Sequence, residues 1–274
     1  MGRFTLSAIV GAALLVIPSA ASFAADIPDT PYIPPPPVQI GGGWYLKGHI
    51  GLAAQHFKGL EHPLFESADD FAWLDAGHFA GVPTFGLGIG YQHSDKLRFD
   101  LTGEYRSKSA FKARDQFDNE GAINTNDYSG FKSEWLFLAN AYYDIGTWHG
   151  ITPYVGGGIG VSRNSIYNFT DVNVIAGGGG WAPTGHKWSL AWALHAGASM
   201  QVNERLSIDL GYSFVSLGDA QTGPFQNMDP NESNCLPDSC VGMNFKSLYS
   251  HDFKLGVRWA LDHGGSYAPV VAKY

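Results

Sequence analysis

The chain has 274 residues, 45% of them hydrophobic, 14% aromatic and only 15% charged, with 35 Gly. That mixture is poor in helix formers and rich in strand and turn formers. The formal net charge of −8 and the absence of any Lys/Arg-rich run argue against a nucleic-acid partner.

In chain order, the first segment reads as a secretory signal. Arg3 supplies a minimal positive n-region, Leu6 to Pro18 is almost wholly apolar, and Ser22-Phe23-Ala24 places small residues where a signal peptidase reads, so residues 1–24 are expected to be cleaved off. The apolar run is too short for a spanning helix, which needs roughly 20 apolar residues. No Cys lies near the cleavage point to carry a lipid. Residues 25–42 contain DIPDTPYIPPPPVQI, a Pro-rich run that favours polyproline II and is expected to act as a periplasmic spacer. Elsewhere charges, glycines or polar residues interrupt every apolar run. Residence in a membrane therefore requires a closed barrel, in which every backbone N–H and C=O finds an internal partner.

From Gly43 the sequence alternates with period two, as expected for strands with one apolar and one polar face. Eight blocks are expected to be strands. The first sets Trp44, Leu46, Ile50 and Leu52 against Tyr45, Lys47, His49 and Gly51. The second sets Phe85, Leu87, Ile89 and Tyr91 against Gly86, Gly88, Gly90 and Gln92. In the third, Leu97, Phe99, Leu101 and Tyr105 oppose Arg98, Asp100, Thr102, Glu104 and Arg106. The fourth, about 133–145, sets Trp135, Phe137, Ala139, Ala141 and Tyr143 against Asn140, Tyr142 and Asp144, with Leu136 and Leu138 also in the polar series. The fifth sets Val155, Ile159 and Val161 against Gly156, Gly158, Gly160 and Ser162. The last three carry Leu190 to Met200, Leu206 to Phe214 and Phe253 to Trp259 on their apolar faces. Connections near His93–Lys96, Gly146–Gly150 and Val202–Glu204 are short. Those over 57–82, 107–130, 163–187 and 216–247 are long. Short and long links alternate strictly, as periplasmic turns and outer loops do in outer-membrane barrels.

A soluble β-protein also alternates, with its apolar face inward. Three features point the apolar face outward instead. Gly and Ser crowd the polar face, where a small barrel has little room. The same face holds charges of both signs: Lys47, Arg98, Asp100, Glu104, Arg106, Glu134, Asp144, Asp209, Lys254 and Arg258 are expected to form a lumenal ion-pair network. Aromatics fall near strand ends on the apolar face: Trp44, Phe85, Tyr91, Tyr105, Trp135, Tyr143, Tyr212, Phe253 and Trp259 are expected to form lipid-facing girdles. The expected fold is thus all-β: an eight-stranded antiparallel up-and-down transmembrane barrel over residues 43–261, with a tail over 262–274.

The opening Gly-Gly-Trp-Tyr-Leu-Lys-Gly-His-Ile-Gly, the run Thr152 to Gly160, Ile208-Asp209-Leu210-Gly211-Tyr212 and Ser250 to Trp259 resemble small outer-membrane proteins of α-proteobacteria. This is the group with an OmpA-type barrel, often labelled opacity-like or "porin family". The resemblance spans signal, spacer and all eight strands, and implies an outer-membrane surface protein without one agreed activity. The family's insertion signal is an aromatic ending the last strand. Here Trp259 lies inside that strand and a tail ending in Tyr274 follows, so either segment can carry the signal.

Cys235 and Cys240 lie close together in an exported chain and are expected to close a small loop disulfide. Ser250-His251-Asp252 has the residue types of a nucleophile triad, yet adjacent strand residues point to opposite faces. Ser250 and Asp252 are expected inward and His251 outward. His49 and His195 fall on the lumenal face, and His56, His62 and His78 near the first outer connection; no metal spacing emerges among them. The glycine runs lack the Gly-Lys-Ser/Thr of a phosphate loop. No cofactor and no catalysis are expected. The outer connections carry Phe65, Phe71, Trp73, Phe117 and Trp181, read as exposed aromatics suited either to binding or to plain shielding. The leading expectation is a structural, envelope-integrity or surface-interaction protein; the alternatives are a narrow porin-like channel and a lipid-A-modifying enzyme. Expected partners are outer-membrane lipid and lipopolysaccharide, the outer-membrane insertion machinery, and a host or surface ligand met through the outer loops.

Overall fold

The computed structural model describes residues 43–63, 69–119, 121–175, 177–229 and 241–261. The expected signal, spacer and tail, together with Phe65, Cys235 and Cys240, lie outside them. Thirteen strands follow one another: β1 (Gly43–His56), β2 (Gly59–Glu61), β3 (Asp69–Phe79), β4 (Val82–Gln92), β5 (Leu97–Asn119), β6 (Ala122–Asn124), β7 (Asn126–Asp144), β8 (Ile151–Asn173), β9 (Gly179–Ala182), β10 (Gly185–Gln201), β11 (Leu206–Gln221), β12 (Gln226–Asn227) and β13 (Asn244–Ala260).

Eight long strands pair antiparallel in the ring β1-β4-β5-β7-β8-β10-β11-β13, and β13 pairs back onto β1 to close it. These are the eight strands expected from the alternation. A closed ring leaves no edge, so each backbone amide and carbonyl in the wall has a neighbour to bond. The short connections are tight: His93 N donates to Leu97 O at 2.9 Å and Val202 N to Leu206 O at 2.8 Å.

The apolar series points outward. Leu52 is 67% exposed, Leu87 75% and Leu190 67%, whereas Arg98 and Arg106 on the opposite face are at most 1% exposed. Hydrophobics outside and charges inside invert the arrangement of a soluble barrel. Glycine makes the interior possible by having no side chain. A Cβ on Gly86 would overlap the His49 ring, one on Gly90 the Tyr45 ring and one on Gly158 the Asn140 amide.

Among the described residues, the long connections are mostly strand. β5 and β8 each run 23 residues, about twice the ten or so that a tilted crossing takes. The added length projects beyond the apolar band, and β2, β3, β6, β9 and β12 pair there. Period-two reading stops short of these extensions because bulges shift its phase. One extra residue enters β5 between Arg106 and Ser109 and one enters β8 near Asn168, whose φ is +48°. The register of β11 against β13 slips on both sides of Gly218, whose φ of +68° suits glycine. Past the bulges the interior turns apolar. Phe57, Phe79, Phe111, Phe169 and Phe245 pack with Leu217, Leu248 and Ile166 into a core, with ring centroids 5.1 Å apart for Phe111 and Phe245. The molecule is an inverted barrel at one end and an ordinary β-core at the other.

Candidate functional site

Each inward charge of the lower barrel meets a partner on another strand. Lys47 Nζ on β1 lies 3.0 Å from Asp100 Oδ2 on β5 and donates to the Tyr142 hydroxyl at 3.0 Å. Arg98 Nε meets Asp144 Oδ1 at 3.2 Å, and its guanidinium stacks between the Tyr142 and Tyr154 rings. Arg258 Nε donates to Asp209 Oδ2 at 2.8 Å. Higher in the lumen, Arg106 lies 2.9 Å from Glu104 and 2.5 Å from Asp252, and Lys254 reaches Glu104 at 2.5 Å. Glu134 pairs with Lys132 and accepts from Gln55 Nε2 at 3.0 Å. All ten charged residues named from the sequence point into one lumen. Asp252, Lys132 and Gln55, all fully buried, are among the participants that escaped that reading. Lys132 and Gln55 lie past the stretches where alternation was read, and Asp252 was placed inward but not joined to the network.

The two lumenal histidines are held by hydrogen bonds. His49 Nε2 lies 2.7 Å from Glu104, and His195 lies 2.8 Å from Ser213 Oγ and 3.1 Å from Asn140 Oδ1. A cavity of about 40 Å³ remains between Lys47, His49, Glu104, Asn140, His195 and Lys254. A water molecule needs about 10–15 Å³, so this cavity has room for a few waters.

The other candidates separate. Ser250 and Asp252 are buried and bonded to each other at 2.5 Å, while His251 faces outward against the Tyr212 hydroxyl at 2.7 Å. Of the outer histidines, His56 stacks on Tyr249, His62 lies 3.1 Å from Val241 O, and His78 is exposed. Among the described residues no cluster of three or more His, Cys, Asp or Glu is placed to hold a metal ion. Not all the outer aromatics are exposed. Trp73 packs against Tyr128 and the outer core, Phe71 packs on Trp73, and Phe117 is half-buried; Trp181 is 41% exposed. Exposure at the far end belongs to aliphatic residues instead: Leu74, Ile123, Val174 and Ile175 are 54–65% exposed. Val174 N donates to Thr125 O at 2.9 Å, which joins the β6–β7 and β8–β9 links at the far end.

Below these tips, beyond the apolar band, the Tyr128 hydroxyl donates to Asp115 Oδ2 at 2.5 Å. Burial raises the Asp115 carboxyl above its ordinary range. Burial, and then the neighbouring Asp115 charge, push Asp171 up to about 7.

All nine aromatics expected in the girdles lie on the outward face. Trp44, Tyr91, Tyr143 and Trp259 stand at the short-turn end; Trp44 packs edge-on to Tyr91 at 5.4 Å. Tyr105 and Trp135 pair at 5.0 Å at the other limit of the apolar band, and Phe85 stands opposite Tyr105 in register. Tyr212 and Phe253 pair at 5.5 Å between the two limits.

The family model for the outer membrane protein beta-barrel domain matches residues 10–260. The chain belongs to this family. The inverted barrel is therefore an outer-membrane one, its exposed apolar band lies in lipid, and the protein resides in the outer membrane of a Gram-negative cell. Over 248 residues this outer-membrane barrel is 28% identical to an uncharacterized protein of Brucella abortus (strain 2308), covering 84% of this chain and 87% of that one. It is 25% identical over 233 residues to outer membrane protein PagN of Salmonella typhimurium, covering 80% and 90%. It is also 25% identical over 225 residues to a protein of Rickettsia prowazekii named as a candidate adhesin, covering 81% and 89%.

Proposed function

We propose that this outer-membrane barrel is a surface-interaction protein: the lower barrel anchors it and the strand extensions present a recognition surface outside the cell. The observation that carries this reading is that the lumen is filled twice, while the far tips expose apolar side chains. Ion pairs occupy the lower half and a phenylalanine core the upper. A route for solute would have to cross both. Leu74, Ile123, Val174 and Ile175, by contrast, stand exposed far from lipid, and exposed apolar clusters on a rigid scaffold are common interaction sites. The Rickettsia relative's name is in keeping with such a role. Catalysis finds no support, since Ser250 and His251 lie on opposite sides of the barrel wall.

Two measurements test the proposal. Single-channel recording of the refolded protein in a planar bilayer is expected to be silent; reproducible discrete steps would replace this reading with a channel. Bacteria displaying the protein are expected to adhere to epithelial monolayers, and Ile123→Asp with Ile175→Asp to abolish most of that adhesion without altering heat-modifiable mobility. Adhesion unchanged by the substitutions would remove the tips from the function.

A further inference from the structure

On the outward face of β1, β13 and β11, two histidines from opposite ends of the chain come together. His56 and His251 have ring centroids 6.1 Å apart, with their planes at 76°. The register explains the approach. His251 stands opposite Ala54 and His56 opposite Tyr249, so the two imidazoles are diagonal neighbours across the β1–β13 seam. His251 Nδ1 lies 2.7 Å from the Tyr212 hydroxyl of β11, and its ring packs on Phe214 at 5.3 Å. The His56 ring stacks on Tyr249 at 5.3 Å. Each imidazole is thus held by a neighbour, while His251 Nε2 and both ring nitrogens of His56 make no hydrogen bond among the described residues.

Their height admits water and ions. His251 lies nine residues along β13 from Ala260, and His56 lies eleven along β1 from Tyr45, the partner of Ala260. At the usual rise and tilt these distances are about 23 Å and about 28 Å along the barrel axis, against an apolar band about 25 Å tall. The pair therefore straddles the outer limit of the band, with the exposed His56 on the water side. The spacing also suits a single ion. A metal bonded to a ring nitrogen at about 2.0–2.1 Å lies about 3.2 Å from that ring's centroid, so two rings on one ion have centroids about 5.2 Å apart at a tetrahedral angle and at most about 6.4 Å apart. The observed 6.1 Å falls within that reach, and a small turn of the exposed His56 ring closes the difference.

We propose that His56 and His251 bind one divalent transition-metal ion of the zinc and copper class, with water filling its remaining positions. The donor set selects this class. Imidazole nitrogens suit zinc, copper and nickel, whereas calcium and magnesium take oxygen ligands. The neighbours of the pair on this face, Ala54, Tyr212, Phe214, Tyr249 and Phe253, bring no carboxylate. Donation from His251 Nδ1–H to the Tyr212 oxygen leaves the Nε2 lone pair for the metal and fixes the ring, the arrangement usual for metal-bound histidine. Two protein ligands and open water positions make this an exposed site rather than a closed structural one. The ion joins the first strand of the barrel to the last, so its binding adds to the stability of the closing seam. This site is independent of the recognition surface at the tips.

The test uses the untagged full-length protein refolded in detergent micelles and freed of metal with a chelator. Zinc binding is followed by isothermal titration. Copper(II) binding is followed by electron paramagnetic resonance, whose hyperfine structure counts the coordinated nitrogens. One zinc ion per chain and two imidazole nitrogens on copper are expected, together with a rise in the heat-unfolding midpoint on adding zinc. The His56→Asn/His251→Asn double variant is expected to lose all three. Tyr212→Phe is expected to weaken zinc binding by about tenfold, the usual effect of losing a group that orients a ligand. His78→Asn, at an exposed histidine of β3, is expected to change nothing. Should the double variant fail to fold, His56→Asn alone, at an exposed side chain ending β1, is expected to leave one nitrogen on copper and to weaken zinc binding by about tenfold or more. Two nitrogens kept by His56→Asn, zinc bound equally by the double variant and the parent, or no zinc bound by the parent each overturns the proposal.

Discussion

At the scale of the residue, the lumen is governed by the cost of leaving a charge unpaired. Arg106 is fully buried between Glu104 and Asp252, and truncating one partner of such a group leaves the others without compensation. Arg106→Met is expected to lower stability by about 3–5 kcal/mol, read as a drop in the urea midpoint of the refolded protein by tryptophan fluorescence. Arg258→Met is expected to cost less, because its side chain keeps 12% exposure to water. Asp171 titrates in the opposite sense from a salt-bridged acid. Its folded value near 7 stands above the ordinary 3.8, so the folded form holds a proton that the unfolded chain releases. The stabilisation is present in full below about 3.8 and is lost as pH rises through about 7. Amide hydrogen exchange in β8 beyond Asn168 is expected to quicken over that window, and Asp171→Asn to flatten the dependence. These charges were legible as a set, because ten of them fall on one face. Their partners were not, since a pair such as Arg106 with Asp252 joins residues 146 apart.

At the scale of the element, each strand is two objects joined by an irregularity. Up to the bulge, alternation places polar groups inward and apolar groups in lipid. Beyond it Phe111, Phe169 and Phe245 turn inward and the strand behaves as part of a soluble β-core. Phe245→Ala removes a ring from the centre of that core and is expected to cost about 3–5 kcal/mol, felt mainly in the extension. Limited proteolysis should then cut the extension while a protease-resistant barrel of β1, β4, β5, β7, β8, β10, β11 and β13 remains. Equal loss of both parts would mean that the two layers unfold together. The short-turn ends of the strands were read almost to the residue, because Gly, Asn and Asp mark tight turns there. The opposite ends were not, because one inserted residue reverses every later side chain and a period-two pattern then reads as noise.

At the scale of the whole molecule, closure explains why a chain this apolar on its surface keeps its backbone bonded in lipid. The same closure, with the lumen filled, leaves recognition at the tips as the reading to pursue. If β5 and β8 act as stalks, shortening both by paired deletions above the bulges is expected to abolish adhesion while heat-modifiable folding persists, since the lower barrel retains its ion pairs and its lipid face. Loss of folding would instead assign the phenylalanine core a part in closing the barrel.

The sequence by itself determined the eight strands of the closed ring, their order and which face meets lipid. Each of those follows from a local property: period-two alternation, turn chemistry, and the crowding of glycine and charge on one face. Only the tertiary structure decided which charges pair and that the described parts of the long connections are largely strands enclosing an apolar core. These depend on the stagger between neighbouring strands, which bulges and barrel closure set jointly, and no single segment of chain carries that information.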